Sequence, residues 1–261
     1  MLNLIGIIFA VVVLITSFVW GNDDPGALVD LHGVLIVIGG TVAAVGISFR
    51  IDRAAKMIKI FFQGMFKTRI IEHEKLIEEM MALGEAYKAN SPQMESLIEE
   101  IQDSFLKDAM ITLTDGVFSQ KKLYKVNLTR AQTVYQRYMD EARMFTACGK
   151  FPPAMGLMGA VLGMIALLAT LGKPGAEKNI GPAMSVALVA TLYGIAVANL
   201  FIIPIGQNLE EIARAMKTKN LIICEGVRII GTKVNAIELA EELNAYLLPS
   251  ERVDWKSKAA G

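Results

Sequence analysis

The chain has 261 residues, 53% of them hydrophobic, with a mean hydropathy of +0.44 and a formal net charge of zero. Apolar residues gathered into long uninterrupted runs exclude an ordinary soluble domain, and the balanced charge points to no nucleic-acid partner.

Four apolar runs occur, at roughly Leu2 to Trp20, Leu31 to Phe49, Phe151 to Gly172 and Pro182 to Gly206. A helix needs about 20 apolar residues to cross a hydrocarbon core of ~30 Å. None of the runs shows the alternation of a barrel strand, so the reading is an all-α, polytopic membrane protein with four transmembrane helices. The first run has no basic residue before it and no cleavage site close behind it, which favours an uncleaved span over a secretory signal.

Charge placement sets the orientation. The turn from Gly21 to Asp30 carries Asp23, Asp24 and Asp30 and no basic residue, whereas Arg50 to Lys150 carries 16 Lys/Arg. Only Lys173 and Lys178 precede Pro182 in the second short turn, and eight Lys/Arg follow Gly206. The positive-inside rule then places the middle segment, the tail and both termini in the cytoplasm. The expected organisation is spans one and two over 1–49, a helical cytoplasmic domain over 50–150, a span hairpin over 151–206 and a helical tail over 207–261. Cys148 and Cys224 both fall on the reducing side, so no disulfide is expected.

Within the cytoplasmic block, Ile58, Phe61, Phe62 and Met65 make an apolar stripe opposite Arg53, Lys56 and Lys59, which suits an interfacial helix. A helix over about 72–89 turns Leu76, Ile77, Met80 and Leu83 inward. Asn90, Ser91 and Pro92 break it, and Ser91 is the expected cap of the next helix, with Pro92 in its first position. Asp115 and Gly116 mark a turn, after which a long helix runs from Ser119 towards Lys150 and into the third span. The tail reads as helix interrupted near Gly231, with Leu239, Leu243 and Leu247 on one face. The charges on these helices read mainly as solvated faces; the alternative for Glu95, Glu99 and Glu100 beside Lys88 is a docking surface for a charged partner.

The hairpin arms from Phe151 and Pro182 contain no Asp, Glu, Lys, Arg or His. Pro152 and Pro153 near the start of one arm and Pro204 near the end of the other fall at similar depth, either kinking the helices or marking their ends. Gly159 and Gly163 on the third span, the Ala183, Ala187, Ala190, Gly194 and Ala198 series on the fourth, and Gly39 and Gly40 on the second permit close helix packing. They also predict association with further helices, from copies of this chain or another subunit. Thr191 lies mid-span opposite Ala160. It is either a structural hydroxyl bonded four residues back or a pore-lining group. Proton and ion relays use acids or histidines at depth, so any such group must come from a partner chain. The spans hold no nucleophile–base pair and no metal-ligand cluster, which argues against an enzyme and against a metal or other cofactor.

The segments PAMGLMGAVLG from Pro153, GPAMSVALVATLYG from Gly181, FIIPI around Pro204 and VLIVIGGTVAA from Val34 resemble the MotA/PomA family of flagellar motor stator subunits, over nearly the whole chain. The resemblance implies a peptidoglycan-anchored, MotB-like partner whose membrane helix carries an aspartate. It also implies five MotA-like chains around two partner chains in the bacterial inner membrane, and torque on the rotor protein FliG. It assigns Pro153, Thr191 and Pro204 to the ion path. Sodium-type members carry Thr where this chain has Ala160, which favours a proton over sodium. The Arg-containing pair of the family's rotor-facing surface is replaced here by Tyr87 and Lys88, which leaves Lys88, Glu95 and Glu99 as candidate rotor contacts. The alternative is a TolQ/ExbB-like energiser of envelope processes, whose members carry one span before the cytoplasmic block where this chain has two.

Overall fold

The computed structural model describes residues 2–21, 26, 29–50, 52–53, 57, 73–175 and 177–254. Among these, every regular element is helical. In chain order they are α1 (Leu2–Gly21), α2 (Leu31–Ser48), α3 (His73–Lys88), α4 (Met94–Glu100), α5 (Ser104–Thr114), α6 (Gln120–Cys148), α7 (Phe151–Thr170), α8 (Glu177–Ala196), α9 (Ile203–Gly231) and α10 (Ala236–Asn244). The expected interfacial stripe at Ile58, Phe61, Phe62 and Met65 lies outside the described residues.

Two compact units interleave along the chain, one from 1–68 with 139–210 and the other from 69–138 with 211–261. Their seams fall inside α6 and α9, so each of these helices contributes to both units.

In the first unit, α2 and the elements containing α7 and α8 are long and apolar enough to cross a membrane, with mean hydropathies of 2.0, 1.9 and 2.3 in their apolar windows. The apolar stretch Ile5–Ser17 of α1 is shorter. Two π-helical turns interrupt the regular winding, Leu35–Gly39 within α2 and Val197–Ile202 between α8 and α9. The second has a local cause. Pro204 has no N–H to give the carbonyl four residues back, and a π turn absorbs the register shift without ending the helix. The helix therefore continues past Pro204 to Gly231.

Pro152 and Pro153 sit in the first turn of α7, where backbone N–H groups have no intrahelical partner anyway. They start that helix and do not kink it. Lys150 holds its N-cap position without a side-chain bond, and a tight turn at Gly149 and Lys150 is all that separates α6 from α7 in the helical run from Gln120 to Thr170. Pro182 lies inside α8, one turn in, and is the proline that removes an internal bond there.

The second unit is a conventional core. Leu76, Ile77, Met80 and Leu83 of α3 are buried as their spacing predicts, and so are Leu239, Leu243 and Leu247. They pack with Leu106 and Met110 of α5 and with Ile222, Ile223 and Ile230 of α9. Each such aliphatic side chain contributes roughly 1.5–3 kcal/mol by leaving water. The segment after Pro92 differs from expectation in two places. Ser91 accepts from the Gln93 N–H at 3.2 Å in a turn, and the helix begins at Met94 with no side-chain cap. It also ends by Glu100. Asp103 then caps a separate helix by accepting from the Phe105 and Leu106 N–H groups at 3.0 Å each.

Candidate functional site

The site expected from sequence lies where α7 and α8 pack against each other along their length. Small residues set the spacing. A Cβ on Gly156 would sit 2.8 Å from the Ala190 carbonyl oxygen, and one on Gly159 would sit 2.8 Å from the Ala190 Cβ. A Cβ on Gly163 would meet the Ala187 Cβ at 3.0 Å, and one on Gly194 would strike the Pro152 carbonyl. In lipid such backbone approach substitutes for the missing hydrophobic drive. On α2, Gly40 lies against Met155, whereas a Cβ on Gly39 would have open space around it. Gly156 was not singled out from sequence, although it stands three residues before Gly159 on the same stripe.

Thr191 is half-buried, and its hydroxyl has two carbonyl acceptors in reach. Ala187 O, four residues back, lies at 3.2 Å and Gly156 O, across the helix pair, at 3.5 Å. A hydroxyl has one proton, and the shorter contact takes it. The back-bond to Ala187 leaves the oxygen lone pairs free to accept, from water or from a protonated acid. The residue facing Thr191 is thus Gly156. Ala160 lies four residues, about 6 Å, further along α7. Pro153, Ala160 and Pro204 are each half-buried.

At the level of Thr191 along α8, Asp30 joins two elements. Its carboxylate caps α2 by accepting from Gly33 N–H at 2.7 Å and His32 N–H at 3.2 Å, while its own N–H donates to the Tyr193 hydroxyl at 3.3 Å. That cap holds α2 where Gly33 packs on Ala190. Asn199, inside the second π turn, is exposed and donates its amide to Ile195 O at 2.9 Å. A lone amide in an apolar run was a legible signal that sequence reading passed over. Thr41 of α2 is buried, and its hydroxyl has no partner among the described residues.

The candidate rotor contacts lie in the second unit. Glu95 and Glu99 line one open cleft of about 720 Å³ with Tyr87, Met94 and Asp115. Lys88 is exposed but does not line it. Lys107 donates to the Glu99 carbonyl at 3.0 Å, so the Glu99 backbone is tied while its carboxylate stays exposed. No group of three or more His, Cys, Asp or Glu able to hold a metal ion occurs among the described residues.

Comparison with known proteins gives a consistent result. Residues 97–220 match the MotA/TolQ/ExbB proton channel family. The chain is 31% identical to the chemotaxis protein PomA of Vibrio alginolyticus, over 96% of each chain. It is 28% identical to motility protein A of Borreliella burgdorferi, over 95% of this chain and 94% of that one. Its fold superimposes on a chain of the flagellar MotAB stator complex from Bacillus subtilis with a TM-score of 0.86 at 27% identity, covering 97% of this chain and 98% of that one. A chain of the C. jejuni MotAB structure matches with a TM-score of 0.84 at 23% identity, which speaks to the fold. An acid-free helical hairpin closed by small residues, in a chain matched from end to end by these relatives, belongs to the MotA family of motility proteins.

Proposed function

We propose that this chain is a flagellar motor stator subunit, the part of an ion channel that turns ion flow into torque on a rotor. The observation that carries the reading is the match to PomA and to a MotAB stator chain over nearly the full length. The acid-free hairpin supports it, because a path wall without titratable groups needs a second chain to supply one. A MotB-like subunit with a membrane aspartate fills that role, and the lone pairs of Thr191 are suited to accept from its protonated carboxyl.

The finer reading is a four-span subunit of the bacterial inner membrane with both termini in the cytoplasm, in a ring of five copies around two partner chains. The division into 1–49, 50–150, 151–206 and 207–261 describes its membrane and cytoplasmic segments. Pro153, Ala160, Thr191 and Pro204 shape the ion path, and Gly39, Gly40, Gly159, Gly163 and Gly194 serve helix packing. Lys88, Glu95 and Glu99 are the proposed contacts with FliG. The coupling ion is a proton, since Ala160 offers no oxygen to replace sodium's hydration shell.

The test is reconstitution. Liposomes holding this chain alone pass no protons, and liposomes holding it with the MotB-like subunit do so once the path opens. Robust proton flux through the chain alone overturns the reading. Function as a TolQ/ExbB-like energiser is distinguished by deletion: loss of swimming with an intact envelope favours the stator.

A further inference from the structure

Asn199 and Thr191 stand eight residues apart on the arm that runs from α8 through the second π turn into α9, about 12 Å along its axis. In regular α-helix those eight residues would turn Asn199 about 80° away from Thr191. The wider π winding from Val197 takes back part of that rotation. The two side chains therefore fall on neighbouring parts of one helix face, with exposed Ile195 between them. Each donates to the carbonyl four residues back, Thr191 to Ala187 O at 3.2 Å and Asn199 to Ile195 O at 2.9 Å. Each is left with a side-chain oxygen free to accept.

The π turn frees a second oxygen at Asn199. The Ile203 N–H, which an α-helix would give to Asn199 O, reaches Ala198 O instead. In the π register the donor to Asn199 O would be residue 204, and Pro204 has no N–H. Asn199 thus carries two acceptors, Oδ1 and its main-chain oxygen, and neither receives a hydrogen bond among the described residues. Irregular backbone persists at membrane depth only where protein buries it or where it lines a water-filled cavity. Asn199 is exposed, so its own chain does not bury it. Two acceptors beside an amide already tied to Ile195 O suit water and the cations it carries, not an anion.

We infer that Asn199 is a second station of the ion path, where Oδ1 and the main-chain oxygen hold a hydrated monovalent cation, hydronium or sodium, moving between the Thr191 level and α9. The inference rests on the stator reading and adds to it a place for the ion beyond Thr191. Pro204 gains a defined task, because by withholding an N–H it keeps the Asn199 carbonyl open. Neutral oxygens suit a conducting site, which must bind an ion well enough to admit it and weakly enough to release it.

The test uses the full chain with its partner subunit in liposomes, under conditions that open the wild-type path. One arm applies a proton gradient without sodium and the other a sodium gradient at uniform pH; the arm that conducts identifies the ion. Asn199→Leu keeps the side-chain volume and removes Oδ1. It is expected to lower flux per assembled complex roughly tenfold, as the loss of a hydrogen bond to a charged group implies, with co-purification of the partner unchanged. Asn199→Gln keeps an amide oxygen and most of the flux. Wild-type flux in Asn199→Leu overturns the station and leaves the stator reading intact. Equal flux losses in the two variants, or loss of assembly in Asn199→Leu, also overturn it and assign Asn199 to packing against a neighbouring chain. If wild type with its partner passes neither ion, the stator reading fails and this inference fails with it.

Discussion

Lys233 and Asn90 stand 143 residues apart and share an unusual backbone geometry, with φ of +60° and +48°, and the Lys233 ammonium donates to Asn90 Oδ1 at 3.2 Å. Each ends a helix. Asn90 closes α3, with the Ser91 N–H reaching back to Ala86 O, and Lys233 closes α9 through Ile230 O. The Lys233 ammonium also lies 5.7 Å from the Tyr87 ring centroid. Two left-handed caps thus lock the ends of two core helices together, and Pro92 follows the first, where a helix cannot resume at once.

Asn tolerates the left-handed region, whereas Ala pays about 1 kcal/mol there. Asn90→Ala is expected to lower stability by roughly 1–2 kcal/mol, with the lost hydrogen bond included. Asn90→Gly regains the backbone freedom and costs less than half of that. Chemical denaturation of the full chain in detergent reads the difference; equal costs for Ala and Gly remove backbone geometry as the reason.

A methyl group at Gly194 meets the Pro152 carbonyl, and one at Gly156 meets Ala190 O, both of them backbone atoms that cannot swing aside. Gly194→Ala and Gly156→Ala should each cost about 1–3 kcal/mol by overpacking and reduce co-purification with the partner subunit. Gly39→Ala, with open space around its Cβ, should be neutral within this chain. Loss of partner association in Gly39→Ala alone would mean that Gly39 packs against a neighbouring chain.

Thr191→Val keeps the shape of the side chain and removes its oxygen. If the hydroxyl accepts from the partner's acid, its loss removes about 1 kcal/mol, roughly fivefold in site occupancy, and swimming slows. Thr191→Ser retains the oxygen and should keep most of the speed. Equal swimming in wild type and Thr191→Val would leave the back-bond to Ala187 as the residue's whole role.

Burial pushes the His73 imidazole below its usual value of 6.5; Glu251 opposes that shift and Lys219 reinforces it. The unfolded chain therefore binds more protons than the folded one just below pH 6.5. The stability that neutral His73 contributes is complete above that value and declines as pH falls through it towards the folded pKa. Glu79, shifted upward, acts in the opposite sense above 4.5, so the comparison must be between variants. Thermal unfolding of His73→Gln should show a shallower loss of stability below pH 6.5 than wild type. Parallel profiles would assign the acid sensitivity elsewhere.

Much of this molecule was readable in advance because membrane insertion and helix burial are local properties. A run of 20 apolar residues declares itself without knowing its neighbours, and the 3.6-residue period turned Leu76, Ile77, Met80 and Leu83 inward wherever their partners came from. The reading failed where the answer depended on hydrogen-bond geometry within a few residues. Pro153 and Pro204 were left open between a kink and a helix end: Pro153 proved to be a first-turn proline, while Pro204 proved to sit behind a π turn in a helix that runs on to Gly231. Ser91 looked like a helix cap, yet the next helix starts at Met94, and the strong cap nearby belongs to Asp103.

Sequence alone determined the class of the protein, its apolar hairpin, and the absence of any acid within it, since these follow from composition along consecutive residues. Tertiary structure decided which small residue meets which. It set Gly156 rather than Ala160 against Thr191, tied Asp30 to Tyr193, and paired Asn90 with Lys233. It also gathered Glu79, Asp103, Lys219 and Asn220 around one cleft. Such contacts join residues from 35 to 163 positions apart, and only the packing of the intervening helices brings them within hydrogen-bonding distance.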